Sequence, residues 1–374
     1  MRSGKTKYAR IALALCSLGC LAQARAAAAQ EAGAAVYVRS ESDDTLVVAP
    51  RARAQTPALA DTKFTAIYAA DIWSSASVDI RTSASRVPVT EQRDELDFSL
   101  DHEREDLTLT AAYRFSHEPD YVSNGGSGGF SYDFASNNST IAVGVSGSSD
   151  QVGRAGDPSF SESSSTLGGR LSFTQVLGVG TLGQATYEIS RAGGYLASPY
   201  RRVAIGEGSC TSGTGEDGLS ELCVVEVVPD ERLRHAAALE IRQLISDAWS
   251  FGAAYRFYTD SWGVLSHTAR AELAFLPDAD TILAARYRFY IQGPADFYQA
   301  HYAEPAKYVT SDKELSPLSS HRAAIELDRT WRFDSDRKLS TIFSAAAQFY
   351  NYSDFPPLTQ MTAFEFSVAM VFVP

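Results

Sequence analysis

The residues best suited to chemistry are charged side chains at alternate positions. Between residues 231 and 332, arginines recur at Arg232, Arg234, Arg242, Arg256, Arg270, Arg286, Arg288, Arg322 and Arg332, accompanied by Glu240, Glu272, Glu326 and Asp328. An earlier segment, 93–101, is acidic on the same period, with Glu95, Asp97 and Asp101. If both sets line an interior, one wall is basic and another acidic. An arginine-lined wall favours anionic solutes. The competing arrangement has these charges pair across the interior and fix its shape.

Catalytic and metal chemistry is poorly served. Ser116, His117 and Glu118 are consecutive, and neighbours in a strand point to opposite faces, so they form no relay among themselves. His117, His267 and His321 are the bases on which a hydrolase would have to draw, although His235 and His267 fall on apolar faces. Asp71, Ser116, Glu118, Asp120 and Tyr121 gather near segment ends as a rim motif. Hard cations want such oxygens, but the spacing matches no calcium loop. The Gly/Ser/Thr-rich stretch 208–215 lacks the Gly-Lys-Ser/Thr ending of a phosphate-binding loop. No cofactor and no metal is expected.

The elements that carry the charges have a period of two. Residues 107–116 put Leu107, Leu109, Ala111, Tyr113 and Phe115 on one face, with Thr108, Thr110 and Arg114 opposite. Residues 251–259, 283–292 and 322–333 alternate likewise, with Arg329 interrupting the last apolar face. Fourteen such strands are predicted, over 62–72, 93–101, 107–116, 128–134, 139–148, 164–175, 181–191, 231–244, 249–259, 264–275, 281–291, 320–332, 339–350 and 362–373. A hairpin at 33–40 and 45–55 raises the count to sixteen. Pro50 argues against it or places it at an edge. Sixteen is the reading adopted, with fourteen as the alternative; both are even, as closure with the two ends on one side requires.

A soluble sheet with one wet face would alternate too, so the connections discriminate. Short ones (His102–Glu105, Ala135–Asn138, Gly178–Thr181, Asp247–Ala248, Pro277–Asp280, Asp334–Lys338) alternate with longer ones at 73–92, 117–127, 149–163, 192–230, 292–319 and 351–360. Ser261–Gly263 is the exception. Outer-membrane barrels show this asymmetry, with short periplasmic turns and longer outer loops. In hydrocarbon only helices and closed barrels satisfy their backbone. Trp73, Trp249 and Trp331, at strand ends, fit interfacial belts.

The first residues read as a targeting segment. Arg2, Lys5, Lys7 and Arg10 precede an apolar run, Ile11 to Leu21, and Ala-x-Ala sites at 22–26. A signal peptide over 1–26 takes Cys16 and Cys20 with it, leaving Cys210 and Cys223 in one polar loop. Two cysteines in an exported chain read as a local disulfide. The rest divides into an N-terminal segment or first hairpin, 27–61, and the barrel, 62–374. A net charge of −12 over 374 residues argues against nucleic acid as a partner. Eighteen Tyr and nineteen Phe beside three Met suit strands.

Residues 362–373 alternate strictly through Phe364, Phe366, Val368, Met370 and Phe372. This resembles the terminal strand that barrel assembly machinery reads, apart from the trailing Val373 and Pro374. Two segments, 71–77 (DIWSSAS) and 116–123 (SHEPDYVS), together with 47–51 (VVAPR), resemble an uncharacterised family of bacterial outer-membrane barrels, the domain of unknown function 3570 family, across roughly 35–374. The resemblance implies a barrel in the outer membrane of a Gram-negative-type bacterium and supplies no activity. The fold expected is therefore a closed antiparallel transmembrane β-barrel contacting outer-membrane lipid. The function expected is porin-like or transporter-type, passing or binding a small solute, with anions the class an arginine-lined wall would favour. A closed barrel whose outer loops bind a partner is the alternative, and an outer-membrane hydrolase the third.

Overall fold

The computed structural model describes residues 30–75, 89–210 and 222–374. The predicted signal peptide and parts of the loops 73–92 and 192–230 lie outside these residues. Sixteen antiparallel strands close a barrel: β1 (Glu31–Glu41), β2 (Leu46–Leu59), β3 (Thr62–Ser75), β4 (Val89–Arg104), β5 (Leu107–Glu118), β6 (Tyr121–Phe134), β7 (Ser139–Val152), β8 (Glu162–Gly178), β9 (Thr181–Gly194), β12 (Glu231–Ser246), β13 (Trp249–Asp260), β14 (Leu265–Asp278), β15 (Thr281–Gln292), β16 (Leu318–Arg332), β17 (Lys338–Tyr352) and β18 (Gln360–Val373). Two further strands, β10 (Arg202–Ile205) and β11 (Leu222–Val225), form a separate hairpin between β9 and β12.

The N-terminal hairpin is part of the wall. β1 pairs with β2 on one side and with β18 on the other, from Ala32↔Phe372 to Glu41↔Ala363. The aromatic terminal strand therefore has a partner on each side, β17 and β1. Pro50 is accommodated by a gap: the β2–β3 ladder runs Val48↔Ile72 and resumes at Arg51↔Ala69. A residue without an N–H fits where the ladder omits a rung.

Seven connections at one end are tight, such as Ala60–Asp61, Glu105–Asp106 and Val179–Gly180. Gly180 is required there: its φ is +71°, and a Cβ would meet that of Leu244 at 2.8 Å. The opposite end carries the long loops, with corrections to the expected pattern. Residues 117–127 are not a loop; β5 and β6 are joined by Pro119 and Asp120 alone. The segment 192–230 is not wholly irregular, since it holds the β10–β11 hairpin. Strands also run on past their expected ends: β7 reaches Val152, and β9 reaches Gly194.

Alternation divides the wall into two faces. Outward-pointing Leu96, Phe98, Leu171, Phe173, Leu239, Phe251, Leu283, Phe343 and Phe366 are exposed at 38–65%. That apolar band faces lipid. Trp249 and Trp331 sit exposed near its turn end. Five strands also place a tyrosine six residues beyond their first residue: Tyr68, Tyr113, Tyr187, Tyr255 and Tyr287. Each hydroxyl bonds diagonally to the next strand, Tyr68 to Asp94 (2.6 Å), Tyr113 to Asn124 (2.7 Å), Tyr187 to His235 (2.7 Å), Tyr255 to His267 (2.6 Å) and Tyr287 to His321 (2.7 Å). A phenol in the apolar band thus keeps a polar partner without leaving its height.

Because β1 closes the ring, the folded chain should resist SDS and shift on gels only after boiling. A proline at Val38, which pairs with both Phe366 and Val48, should abolish the shift. Retention of the unboiled band in Val38→Pro would show that the barrel closes without β1.

Candidate functional site

The inward face is built by register. Opposite residues in neighbouring strands lie about 5 Å apart, so pairing decides which charges meet. Glu272 stands opposite Arg286, one strand from Glu326. Arg286 bonds both, Nε to Glu272 and Nη1 to Glu326, each at 2.5 Å. Arg242 reaches Glu240 at 2.9 Å and Glu272 at 3.6 Å, and Arg270 reaches Glu240 at 3.6 Å. Arg256 reaches Glu188 at 3.3 Å, shared with Arg170 at 3.8 Å. Arg322 and Arg39 share Glu365 at 2.7 and 2.9 Å. Most of the basic wall is thus a ladder of shared carboxylates.

Two arginines stand outside that ladder. Among the described residues, no carboxylate lies within ion-pair reach of Arg234 or Arg288. Arg288 stands in register between Arg270 and Arg322, on β14 and β16. Its Nε is buried without a hydrogen-bond partner, as is one carboxylate oxygen of Asp328. Arg332 belongs to the turn end, where it pairs with Asp280 at 2.7 Å. The acidic early strand is held by Arg114, 2.6 Å from Asp97 and 3.7 Å from Glu95, while Asp101 accepts from Thr110 at 2.7 Å.

The wall encloses space. A cavity of about 870 Å³ is lined by six arginines, Arg242, Arg256, Arg270, Arg286, Arg288 and Arg322, and by three glutamates, Glu240, Glu272 and Glu314. A second, of about 810 Å³, lies against β6–β8, whose inward residues there, Arg170 apart, are small: Ser127, Gly129, Ser131, Gly144, Ser146 and Gly168. A third, of about 260 Å³, shares Arg256 with both, and Arg270 with the first and Arg170 with the second. The three cavities thus share lining residues, with a bulky basic wall on one side and mostly small residues on the other.

At the loop end, Arg232 lies under Asp260, whose side chain is fully buried. Asp260 accepts from Arg232 (2.5 and 2.9 Å), Tyr258 (2.6 Å) and the backbone N–H groups of Trp262 and Val264 (2.9 and 3.1 Å). The loops above fold into a cap. The β10–β11 strands and 293–317 meet at the bridges Ile205↔Tyr302 and Val227↔Val309. Glu226, 5% exposed, accepts from Ser198 N–H (2.7 Å) and Thr310 Oγ1 (2.5 Å) and pairs with Arg201 (3.3 Å). Burial pushes the Tyr298 hydroxyl's pKa up; it donates to the Asp354 carbonyl at 2.6 Å. Gln292, on the inner wall, donates to the carbonyls of Glu314 and Ser316 at 2.9 and 2.8 Å, which brings Glu314 over the large cavity. A Cβ on Gly263, φ +85°, would collide with the Asp296 carboxylate, so this turn packs under the cap.

The rim motif sits at the mouth. Asp71 pairs with Arg93, Ser116 is buried, and the Asp120 carbonyl accepts from Gly153 N–H at 2.6 Å. Glu118, Asp120 and Tyr121 line a cleft of about 340 Å³ together with Glu91 and Arg93. Among the described residues no set of three His, Cys, Asp or Glu could hold a metal. The candidate bases are turned away from the interior: His267 and His321 lie in the outward tyrosine belt, and His117 is exposed on the same face. Cys210 and Cys223 stand at disulfide distance, with Cα atoms 5.7 Å apart. What the sequence reading missed were the inward partners Arg39, Arg170, Glu188 and Glu365; their alternate spacing was the available signal.

A closed sixteen-strand barrel with a lipid-facing apolar band and a charged interior is the architecture of an outer-membrane β-barrel protein. The chain belongs to the family described as protein of unknown function (DUF3570), whose model matches residues 79–167 and 157–348. No curated protein sequence matches it. Among solved structures it is similar to a bacterial polysaccharide outer membrane secretin, with a TM-score of 0.52 at 7% identity over 92% of this chain and 98% of that one. Also similar are the siderophore receptor PirA from Pseudomonas aeruginosa (TM-score 0.44, 8% identity, 91% and 79% covered) and Pseudomonas aeruginosa OccK1, also called OpdK (0.45, 8%, 91% and 97%). At such identities the likeness is one of fold.

Removing one partner of a buried ion pair costs about 3–5 kcal/mol. Asp260→Ala should therefore lower the melting temperature of the unboiled band by several degrees, with Arg232 left uncompensated. No change would mean that the cap is held without this carboxylate. Purified native protein should also show no free thiol before reduction; two thiols would refute a Cys210–Cys223 bond.

Proposed function

We propose that the chain is a porin-like outer-membrane barrel through whose interior small solutes pass, anions in preference to cations. The observation that carries this reading is the set of cavities that share lining residues along the interior wall. A filled barrel would place large side chains on both walls; here β6–β8 contribute mostly glycine and serine, with Arg170 the large exception. The lining of the cavity of about 870 Å³ bears six arginines against three glutamates; Glu188, Glu326 and Glu365 neutralise others of them from beyond the lining, and Arg288 keeps its charge without a carboxylate, which favours anions in a narrow aqueous path.

In this reading residues 1–26 direct export and are removed, 27–61 and 62–374 form one barrel, and the β18 strand engages the assembly machinery. A second reading, in which the loops bind a partner over a closed lumen, is favoured by the cap's own apolar cores. One contains Trp262, Tyr298, Leu315 and Phe355; the other Val203, Ile205, Tyr302 and Val309.

The test is conductance of refolded protein in a planar bilayer under a salt gradient. Steady steps with a reversal potential on the anion side are expected, and Arg270→Glu with Arg288→Glu should move it toward cation preference. Arg286→Gln removes one charge where the double variant changes four, and should shift selectivity less. Silence from heat-modifiable protein would reject passage and favour the partner-binding loops.

A further inference from the structure

The interior carries one feature that a structural ion-pair ladder does not explain. Arg270, Arg288 and Arg322 stand directly opposite one another on β14, β15 and β16. Like charges in register repel, and the rows on either side avoid this. One row runs Gly252, Glu272, Arg286, Ala324; the other runs Arg256, Thr268, Tyr290, Ser320. The flanking cations of the triple row have carboxylates, Glu240 for Arg270 and Glu365 for Arg322. The central one has none, and its Nε is buried without a partner. A buried donor without a partner is uncommon in native proteins and asks for an explanation, of which a bound anion is one. All three line the same cavity of about 870 Å³.

We infer that this row is a binding site for a small oxyanion, a carboxylate or phosphate group of the solute, centred on Arg288. The inference rests on the solute-handling reading and gives it a location and a ligand class. A guanidinium presents forked donors that match a carboxylate or phosphate. Arg288 supplies the uncommitted fork, and Arg270 and Arg322, one strand spacing away on either side, supply the surrounding positive field. Gly252 and Ala324 in the neighbouring row leave room beside it. Arg286 resembles Arg288 in sequence, but its two carboxylate partners already occupy the acceptor role.

The site is tested by titration calorimetry on refolded, heat-modifiable, full-length protein at low salt, with inorganic phosphate in one series and succinate in another. Saturable binding of at least one probe is expected, and the one that binds identifies the oxyanion type. Arg288→Gln should weaken it at least tenfold and Arg288→Lys less, because lysine keeps the charge and loses the fork. Arg170→Gln, in the neighbouring cavity, should leave it unchanged. No saturable heat with either probe, or equal affinity in Arg288→Gln, would overturn the site. Conductance separates the two ideas: an open channel without binding refutes the site and leaves passage standing. Arg288-dependent binding in a silent barrel upholds the site and makes the lumen a receptor pocket.

Discussion

A backbone amide or carbonyl in hydrocarbon has no water to bond, and each unpaired group costs several kcal/mol. A sheet that meets this constraint cannot have an edge, and the chain meets it by pairing its first strand with its last, Val36 opposite Val368. Much else follows from closure. Strands must alternate, because one face meets lipid and the other meets water. Residues with weak strand propensity are held in place by neighbours on both sides. β6 shows this best: Gly125, Gly126, Gly128 and Gly129 pair residue by residue with β5 and β7. Local preference alone would leave this stretch as a loop.

Closure also fixes the registers, and registers decide the electrostatics of the interior. The inward wall is an alternation of Arg and Glu whose members are neutralised or not according to which residue stands opposite. Arg286 and Arg288 are two positions apart on one face. The first lies across from a glutamate and shares two, while the second lies across from two arginines. A register slip of two residues between β14 and β15 would set Arg288 opposite Glu272 and Arg286 opposite Ala274. The uncommitted cation is therefore a property of strand alignment more than of composition.

This explains what the sequence revealed and what it withheld. The turn-end boundaries, the inward face and the charged positions follow from the period of two and from tight turns, which local chemistry imposes. The loop-end boundaries did not: beyond the lipid band the outward residues become polar, as at Arg191, His117 and Thr259, so the alternation fades while the ladder continues. The β10 and β11 strands are four residues each, too short for a periodic signal. Their one trace was the cysteine pair, since Cys223 lies in β11 opposite Ala204. Ion pairing, and with it the difference between Arg286 and Arg288, depends on contacts between strands that no single segment encodes. The histidines illustrate the same limit. His321 reads as a candidate base in isolation, and only its diagonal to Tyr287 reveals that it serves the lipid-facing belt.

The cap and the interior wall are joined. Gln292, at the loop end of β15, holds the 3-10 turn Lys313–Leu315 through two backbone carbonyls, and that turn brings Glu314 to the cavity that Arg288 lines. The same cap is tied laterally through Glu226, Arg201 and Asp312. The opposite wall, on β6–β8, is lined mostly by glycine and serine, apart from Arg170. The asymmetry of the barrel, bulky and basic on β12–β16 and mostly small on β6–β8, thus follows from which residues the registers turn inward, and the cap is anchored to the bulky side through Gln292.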